Sequence, residues 1–459
     1  MRKWIYTFLL RRAKYSRKLR PEQMIVLTFL GLILLGAVLL TLPAASRSGE
    51  SAGFLTALFT ATSSTCVTGL VLADTYVQWS SFGQVVIICL IQVGGLGFMS
   101  MISVFFFLLH RKIGLKQRLI MAQGFSLNDV DGVVKLVRTV LIWTAVIELA
   151  GALILALRFW PEYGWSRAVK WGVFHSISAF CNAGFDIFGE LQPGSSLGLF
   201  VRDPVVNLTI IALIVIGGLG FYVWTELGKR FRGGRFSVHT KLVLVITVVL
   251  LVGGTVLFAC LEWDNGDTIG GFSAGDKLLA AAFQSATCRT AGFAALDQGA
   301  LTESSKALST LLMLIGGSAG STAGGIKTVT VGILFLSVLS AARGRSRLTI
   351  FGRSISGDQI RQAMTVMGLM LTLSFFGGMF LSAANGLPFL DCLYETASAL
   401  GTAGLSTGLT PLVGTASRLL LIVFMFFGRV GVMTISFGFL LGDPAEERFQ
   451  YAETKVLIG

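Results

Sequence analysis

The chain has 459 residues, of which 54% are hydrophobic and only 13% are charged, and its formal net charge is +13. Apolar runs long enough to cross about 30 Å of hydrocarbon recur along it, which excludes a soluble globular fold and predicts an integral membrane protein. The basic N-terminus leads into a full-length apolar run without a small-residue cleavage site, so we expect no cleavable signal peptide.

The excess of Lys and Arg lies on one side of the predicted membrane. Basic residues crowd positions 1–23 and the segments between successive apolar units, whereas residues 386–417 contain none. This distribution follows the positive-inside rule and predicts a multi-pass protein of the cell membrane with both termini cytoplasmic. Contact of these basic segments with membrane lipid accounts for the positive charge, so a nucleic-acid partner is not expected.

One arrangement of apolar segments occurs four times along the chain. Each copy has a long outer helix, a half-length apolar segment, a turn that contains glycine, and a long inner helix. The predicted units cover residues 24–109, 136–229, 239–341 and 361–442, between a basic N-terminus (1–23) and a C-terminal tail (443–459), and the glycines of their turns are Gly69, Gly184, Gly292 and Gly404. The repeat predicts an all-α integral membrane fold with four tandem helix–pore helix–filter–helix units around a central pore of pseudo-fourfold symmetry.

The half-length segments, at 54–64, 169–179, 276–287 and 388–399, are too short to cross the membrane. About 11 helical residues rise only about 17 Å. Non-helical backbone at membrane depth is tolerated only within protein or beside a watery cavity. We therefore expect each segment to enter the membrane, stop midway and return through its turn. The negative ends of four helix dipoles would then favour a cation.

The turns are predicted to form an ion-binding selectivity filter, because backbone carbonyls can replace the water shell of an ion. The candidate residues are Val67, Thr68, Gly69, Asn182, Ala183, Gly184, Thr290, Ala291, Gly292, Thr402, Ala403 and Gly404. Potassium is expected at the carbonyls of Thr68, Gly69, Ala183, Gly184, Ala291, Gly292, Ala403 and Gly404. A plain re-entrant loop is the alternative for any single turn, but four turns in register favour a filter.

The inner helices carry a second repeated feature. Gly94-Gly95-Leu96-Gly97 recurs as Gly217-Gly218-Leu219-Gly220, and we interpret both strings as close helix packing by small residues. The third copy is too rich in Gly and Ser for a regular helix. Its residues, predicted to break the helix as a mobile gate or a passive kink, are Gly316, Gly317, Ser318, Ala319, Gly320, Ser321, Thr322, Ala323, Gly324 and Gly325. Lys327 is expected to reach toward the cytoplasmic surface.

Arg429 is the most informative single charge, since a guanidinium in a membrane helix is costly and faces a polar interior. It is predicted to belong to the gate as a charge that restrains cation flow, or to pair with a buried acid such as Glu148, Glu226 or Glu395. Both roles are compatible.

The chain offers no catalytic site to sequence inspection. Its six cysteines form no CxxC pair, and its three histidines have no metal-ligand spacing around them. The spans lack convergent His, Asp or Glu groups, and no ATP-hydrolysing motif is present. We therefore expect neither an enzyme nor an organic cofactor, and flux that follows an electrochemical gradient.

The four turns together resemble the filter segments of the Trk/Ktr/HKT superfamily of potassium transporters, most of all the bacterial Ktr-type membrane subunit. The resemblance covers about residues 20–442. It rests on Thr68-Gly69-Leu70, Asn182-Ala183-Gly184-Phe185, Arg289-Thr290-Ala291-Gly292-Phe293 and Thr402-Ala403-Gly404-Leu405-Ser406, on the Gly316–Gly325 loop, and on Arg429. It implies uptake of K⁺, a homodimer with one pore in each protomer, and a cytosolic ring of nucleotide-binding, RCK-type regulatory subunits.

Within that resemblance, Gly69 stands where a serine accompanies sodium transport, so potassium is the expected ion. The resemblance leaves open whether Na⁺ must accompany K⁺. The alternatives are a less selective monovalent cation channel and a sodium-coupled symporter of another solute. The symporter would need polar side chains at mid-membrane, where Asn182 and a few hydroxyls are the candidates.

Overall fold

The computed structural model describes residues 21–97, 133–230, 233–345 and 347–431, and this part of the chain is mostly helical. The helices are, in chain order, α1 (Pro21–Thr41), α2 (Phe54–Thr65), α3 (Thr75–Gln78), α4 (Ser81–Leu96), α5 (Val133–Tyr163), α6 (Trp165–Phe180), α7 (Pro204–Gly218), α8 (Phe221–Arg230), α9 (Val238–Glu262), α10 (Ala274–Thr287), α11 (Glu303–Leu314), α12 (Thr328–Ala342), α13 (Gly357–Asn385), α14 (Phe389–Gly401) and α15 (Thr415–Val430). Short 3-10 turns lie at Pro43–Ala45, Phe188–Glu190 and Gly198–Phe200.

The outer helices of the four predicted units are α1, α5, α9 and α13. Within the described residues these four are long and apolar enough to cross a membrane, and the bent pair α7–α8 would make a fifth span. Large apolar side chains stay exposed along them, among them Leu149 (67%) and Val249 (62%). Such exposed faces suit contact with lipid, and the chain is a multi-pass membrane protein.

The half-length segments form the helices α2, α6, α10 and α14, of 12, 16, 14 and 13 residues. Each packs against the outer helix that precedes it in the chain. In α2 every residue from Phe59 to Thr65 is buried, including a run of hydroxyl side chains. Since 12–16 residues rise only about 18–24 Å, these helices end inside the protein, as their length predicts.

The inner helices all stop or bend at their glycine strings. The predicted break in the third unit is confirmed, because α11 ends at Leu314 and α12 begins at Thr328. The prediction of one long inner helix in the second unit is wrong: α7 ends at Gly218, and α8 turns 97° away from it. Gly220, with φ +93°, provides the left-handed residue at this bend. The predicted continuations of α4 and α15 lie outside the described residues.

One small sheet departs from the all-helical prediction. β1 (Thr349–Ile350) and β2 (Arg353–Ser354) form an antiparallel hairpin, with Thr349 opposite Ser354 and Ile350 opposite Arg353. The two residues between the strands both have positive φ, as a two-residue hairpin turn requires. Ile350 packs with Leu242 of α9, so the hairpin is attached to the third unit.

Candidate ion pathway

The four turns share one backbone conformation. The residue two positions before each turn glycine has a left-handed φ: 56° at Val67, 58° at Asn182, 63° at Thr290 and 53° at Thr402. The glycines that follow also have positive φ, of 98°, 67°, 81° and 85° in chain order. A non-glycine residue in this region costs about 1–2 kcal/mol. The same strained conformation in four copies indicates that the surrounding structure holds the turns in place.

The turn glycines lie against one another in cyclic order. A Cβ on Gly69 would lie 2.5 Å from the Ala183 carbonyl oxygen, and one on Gly184 would lie 2.6 Å from the Gly292 Cα. A Cβ on Gly292 would lie 2.8 Å from the Ala403 carbonyl oxygen, and one on Gly404 would lie 2.9 Å from the Gly69 Cα. The four glycines therefore close into what we name the glycine ring, and no side chain fits inside it.

The structure brings the backbones of all twelve predicted filter residues into these turns, but their side chains do not all face the ring. Val67 is 1% exposed and packs in the apolar core. With its amide nitrogen facing Ala179 and Ile214, Asn182 donates to their carbonyl oxygens at 3.1 and 3.3 Å. Asn182 therefore braces the second turn from behind and does not supply a mid-membrane polar side chain for an organic solute.

A cavity of about 270 Å³ opens above the glycine ring and is lined by all four of its glycines. Asp74 and Asp186 also line it, and sequence analysis missed both. Asp74 accepts hydrogen bonds from the Tyr76 and Gly194 backbone N–H groups, at 2.8 and 2.9 Å. Burial, and to a lesser degree the charge of Asp74, raises the pKa of the Asp186 carboxyl to about 7. An acidic residue two positions after the second turn glycine was the available sequence signal.

The Gly316–Gly325 segment, which we name the intramembrane loop, folds back on itself. The Gly316 N–H donates to the Ile326 carbonyl at 2.9 Å, and the Ile326 N–H donates to the Leu314 carbonyl at 3.0 Å. The Lys327 ammonium donates to the Ala323 carbonyl at 2.9 Å. The prediction that Lys327 reaches the cytoplasmic surface is therefore wrong, since its side chain closes the base of the loop.

Arg429 binds backbone carbonyls and has no carboxylate partner among the described residues. Its guanidinium donates to the Thr322 carbonyl of the intramembrane loop and to the carbonyls of Gly94 and Gly95, the last at 2.8 Å. Those two carbonyls belong to the last turn of α4, where a helix leaves its acceptors unused. One side chain thereby joins the inner helix of unit four to unit one and to the loop of unit three.

The acids named as alternative partners for Arg429 have other roles. Glu148 accepts from the Gln92 side-chain amide at 3.1 Å. Glu226 accepts from the N–H and hydroxyl of Ser237 at 2.9 Å. Glu395 is fully buried and accepts from the Thr407 N–H at 3.0 Å, so it holds the segment after the fourth turn. The alternative in which Arg429 pairs with one of these acids is therefore wrong.

Two polar residues behind the turns have positions that sequence analysis did not predict. His175 and Glu395 both lie nine residues before a turn glycine. Both are fully buried, and the His175 Nε2 accepts the Ile187 N–H at 3.3 Å. Their common spacing was the signal that could have found them.

Glycine strings on the inner helices pack as predicted. A Cβ on Gly94 would overlap the Thr65 carbonyl at the end of α2, one on Gly217 would overlap the Phe180 carbonyl at the end of α6, and one on Gly428 would overlap the Leu400 carbonyl in α14. The inner helices thus clamp the turns at the level where the half-length helices end.

Comparison with known proteins agrees with this architecture. The protein-family model described as "TrkH: Cation transport protein" matches residues 7–451. The chain belongs to the TrkH family. TrkH-family proteins are cation transporters and not enzymes, in agreement with the expectation from sequence.

Several relatives of this TrkH-family chain match it over almost its whole length. It is 39% identical to the potassium/sodium uptake protein NtpJ of Enterococcus hirae, over 97% of this chain and 99% of that protein. It is 41% identical to the Ktr system potassium uptake protein B of Bacillus subtilis, over 94% and 96% of the two chains. The crystal structure of the potassium transporter TrkH from Vibrio parahaemolyticus shares the fold, with a TM-score of 0.73, 17% identity, and coverage of 94% of this chain and 86% of that one.

Proposed function

We propose that this protein carries potassium ions into the cell through the glycine ring, driven by the electrochemical gradient. The observation that carries the proposal is the closure of the four turns into one ring, because four separate re-entrant loops would have no reason to meet. The relatives named as potassium uptake proteins support the choice of ion.

In this proposal the carbonyls of Thr68, Ala183, Ala291 and Ala403, with those of the four glycines, replace the water around the ion. The half-length helices point their C-terminal dipole ends at the same place, which favours a cation over an anion. Each turn has one glycine common to all four units, so few carbonyl layers are available. The name potassium/sodium uptake protein of one relative favours, as the second candidate, a less selective monovalent cation channel.

The intramembrane loop and Arg429 form the proposed gate. The loop lies between the inner helices, where Thr402 of the fourth turn contacts Gly324, and its carbonyl at Thr322 accepts from Arg429. A cation leaving the ring would meet the loop and a fixed positive charge. We propose that the loop moves aside when the protein conducts.

The partners follow from the Ktr-type relatives. The Bacillus subtilis relative is named as protein B of a Ktr system, and a system with lettered proteins supports a partner subunit for this chain as well. We propose a cytosolic nucleotide-binding ring of the RCK type, contacts with membrane lipid, and a homodimer whose protomers each hold a pore. Both termini would be cytoplasmic. The transport assay, run with and without Na⁺, decides whether Na⁺ is required.

Growth rescue is the most economical test. A bacterial strain without its own potassium uptake systems should grow at low potassium when it expresses this chain with a Ktr-type partner. Reversal potentials in K⁺ and Na⁺ then separate a selective pore from a less selective channel. Failure to rescue growth, together with no K⁺ current from the purified protein, would refute the proposal. Current that requires an organic solute would instead support the symporter.

A further inference from the structure

The bend between α7 and α8 is held by the intramembrane loop of another unit. In a continuous helix, the carbonyls of Gly217 and Gly218 would accept from the N–H groups of Phe221 and Tyr222. In the structure, the Gly217 carbonyl accepts from the Thr322 N–H at 3.3 Å and the Gly218 carbonyl accepts from the Ser318 N–H at 2.9 Å. The loop therefore occupies acceptors that a straight helix would need.

The donor side of the bend is also engaged. The Phe221 N–H, which a straight helix would direct at Gly217, donates to the Gly320 carbonyl at 2.8 Å. Gly220 packs closely on the same part of the loop, since a Cβ there would lie 2.8 Å from the Ala319 carbonyl oxygen. Backbone hydrogen bonds in both directions thus join the loop to the bend.

Trp224 adds a bond that exists only while the helix is bent. Its indole N–H donates to the Ile216 carbonyl at 3.1 Å. In a straight helix these residues, eight positions apart, would be about 12 Å apart along the axis. The indole, together with the Leu219 N–H at 3.4 Å, replaces the Gly220 N–H, which would bond to Ile216 in a continuous helix.

We infer that straightening of α7–α8 and release of the intramembrane loop are one transition, in which the same backbone groups exchange partners. In the straight form, the carbonyls of Ile216, Gly217 and Gly218 regain their hydrogen bonds within the helix. The backbone groups of the loop that lose these partners then require hydrogen bonds to water. Because water enters only when the pathway opens, the open state favours a straight helix and the closed state a bent one. The short helix α8 is then the lever that moves the loop, and Glu226 ties that lever to Ser237 at the start of α9. This inference rests on the proposed gating role of the loop.

Three substitutions bias the transition in known directions. Trp224→Phe removes the indole donor and keeps an aromatic ring, so it weakens the bent form by one hydrogen bond. Gly220→Ala disfavours the left-handed residue at the bend and crowds the loop. Tyr222→Pro is tolerated in the first turn of α8, but its ring would clash with the Gly218 carbonyl in a straight helix, so it locks the bend. Tyr222→Ala, which keeps the N–H, is the control for loss of the tyrosine side chain.

The experiment measures amide hydrogen exchange of the loop peptide and basal K⁺ flux in the full-length protein in lipid nanodiscs and proteoliposomes. Trp224→Phe should speed exchange across the Gly316–Gly325 loop by about fivefold, the effect of one net hydrogen bond. Flux should rise in parallel. Tyr222→Pro should slow loop exchange, and adding it to Trp224→Phe should restore wild-type exchange. Gly220→Ala should speed loop exchange as Trp224→Phe does. If the Gly220→Ala protein fails to fold, the result for Trp224→Phe tests the inference.

Two results would overturn the inference. One is loop exchange that stays at the wild-type rate in Trp224→Phe. The other is a double variant that exchanges as fast as Trp224→Phe alone, because loosening would then be local and independent of helix straightening. Coupled exchange in a protein that passes no K⁺ would keep the linkage and refute the proposed function instead.

Discussion

Gly69→Ser tests the glycine ring most directly. The Cβ of the new residue would lie 2.5 Å from the Ala183 carbonyl oxygen, which must retreat by about 0.9 Å to reach ordinary contact. The serine hydroxyl would also enter the ring. Na⁺ is smaller and more strongly hydrated than K⁺, and it needs fewer fixed carbonyls. The change therefore weakens the binding of Na⁺ less than that of K⁺. We expect the K⁺/Na⁺ flux ratio to fall about tenfold, which corresponds to about 1.4 kcal/mol.

Gly53→Ser is the matched control. Gly53 has φ +80°, close to the +98° of Gly69, but no atom lies within 4 Å of the Cβ that serine would add. Both variants therefore carry the strain of a serine with positive φ, and only one perturbs the ring. The assay is uptake of K⁺ and Na⁺ into proteoliposomes of known protein content. An unchanged flux ratio in folded Gly69→Ser protein, or an equal change in Gly53→Ser, would refute the filter assignment.

Three further outcomes are expected. Shortening the Gly316–Gly325 loop should raise basal K⁺ flux in proteoliposomes, and rates at or below wild type would argue against a gate. The Asp186 carboxyl takes up a proton below about pH 7, so the cavity loses one negative charge near the ring. K⁺ uptake at low potassium should therefore fall about twofold as the external pH drops through this range. Asp186→Asn should remove this pH step, and a step that persists in this variant would assign it to another group. Gly428→Ala, whose Cβ would overlap the Leu400 carbonyl, should lower the free energy of unfolding by about 1–3 kcal/mol. Gly368→Ala places its Cβ in open space and should raise the free energy of unfolding by about 0.5–1 kcal/mol. Thermal unfolding in detergent compares the two variants, and equal stabilities would contradict the packing of Gly428.

The outer helices and the turns could be predicted because their determinants are local. A long apolar run can satisfy its backbone only as a helix, and a half-length run followed by glycine must turn back. The glycine ring requires positive φ at Gly69 and its three equivalents. Each turn has a glycine at this position, so the sequence of each turn shows that the requirement is met. Sequence repetition was therefore sufficient to place these residues together.

The bend in the second inner helix could not be predicted, because its cause lies in another unit. Gly217-Gly218-Leu219-Gly220 reads like the string in unit one, and the apolar pattern continues through Phe221. The backbone of Ser318, Gly320 and Thr322, about 100 residues further along, supplies the hydrogen bonds that join the loop to the bend. The partner of Arg429 was missed for a similar reason, since backbone carbonyls at a helix end leave no trace in side-chain composition.

A single polypeptide can treat each quarter of its pathway differently. Glycine stands at positions 95, 218 and 317, and arginine stands at the corresponding position 429, each directly after a glycine. A pore assembled from four identical subunits would have to place this arginine four times, and the combined charge would repel every cation at one level. Gene-internal repetition allows a solitary guanidinium, so under the proposed gating role of Arg429 a one-residue substitution would adjust the height of the barrier without altering the other three quarters.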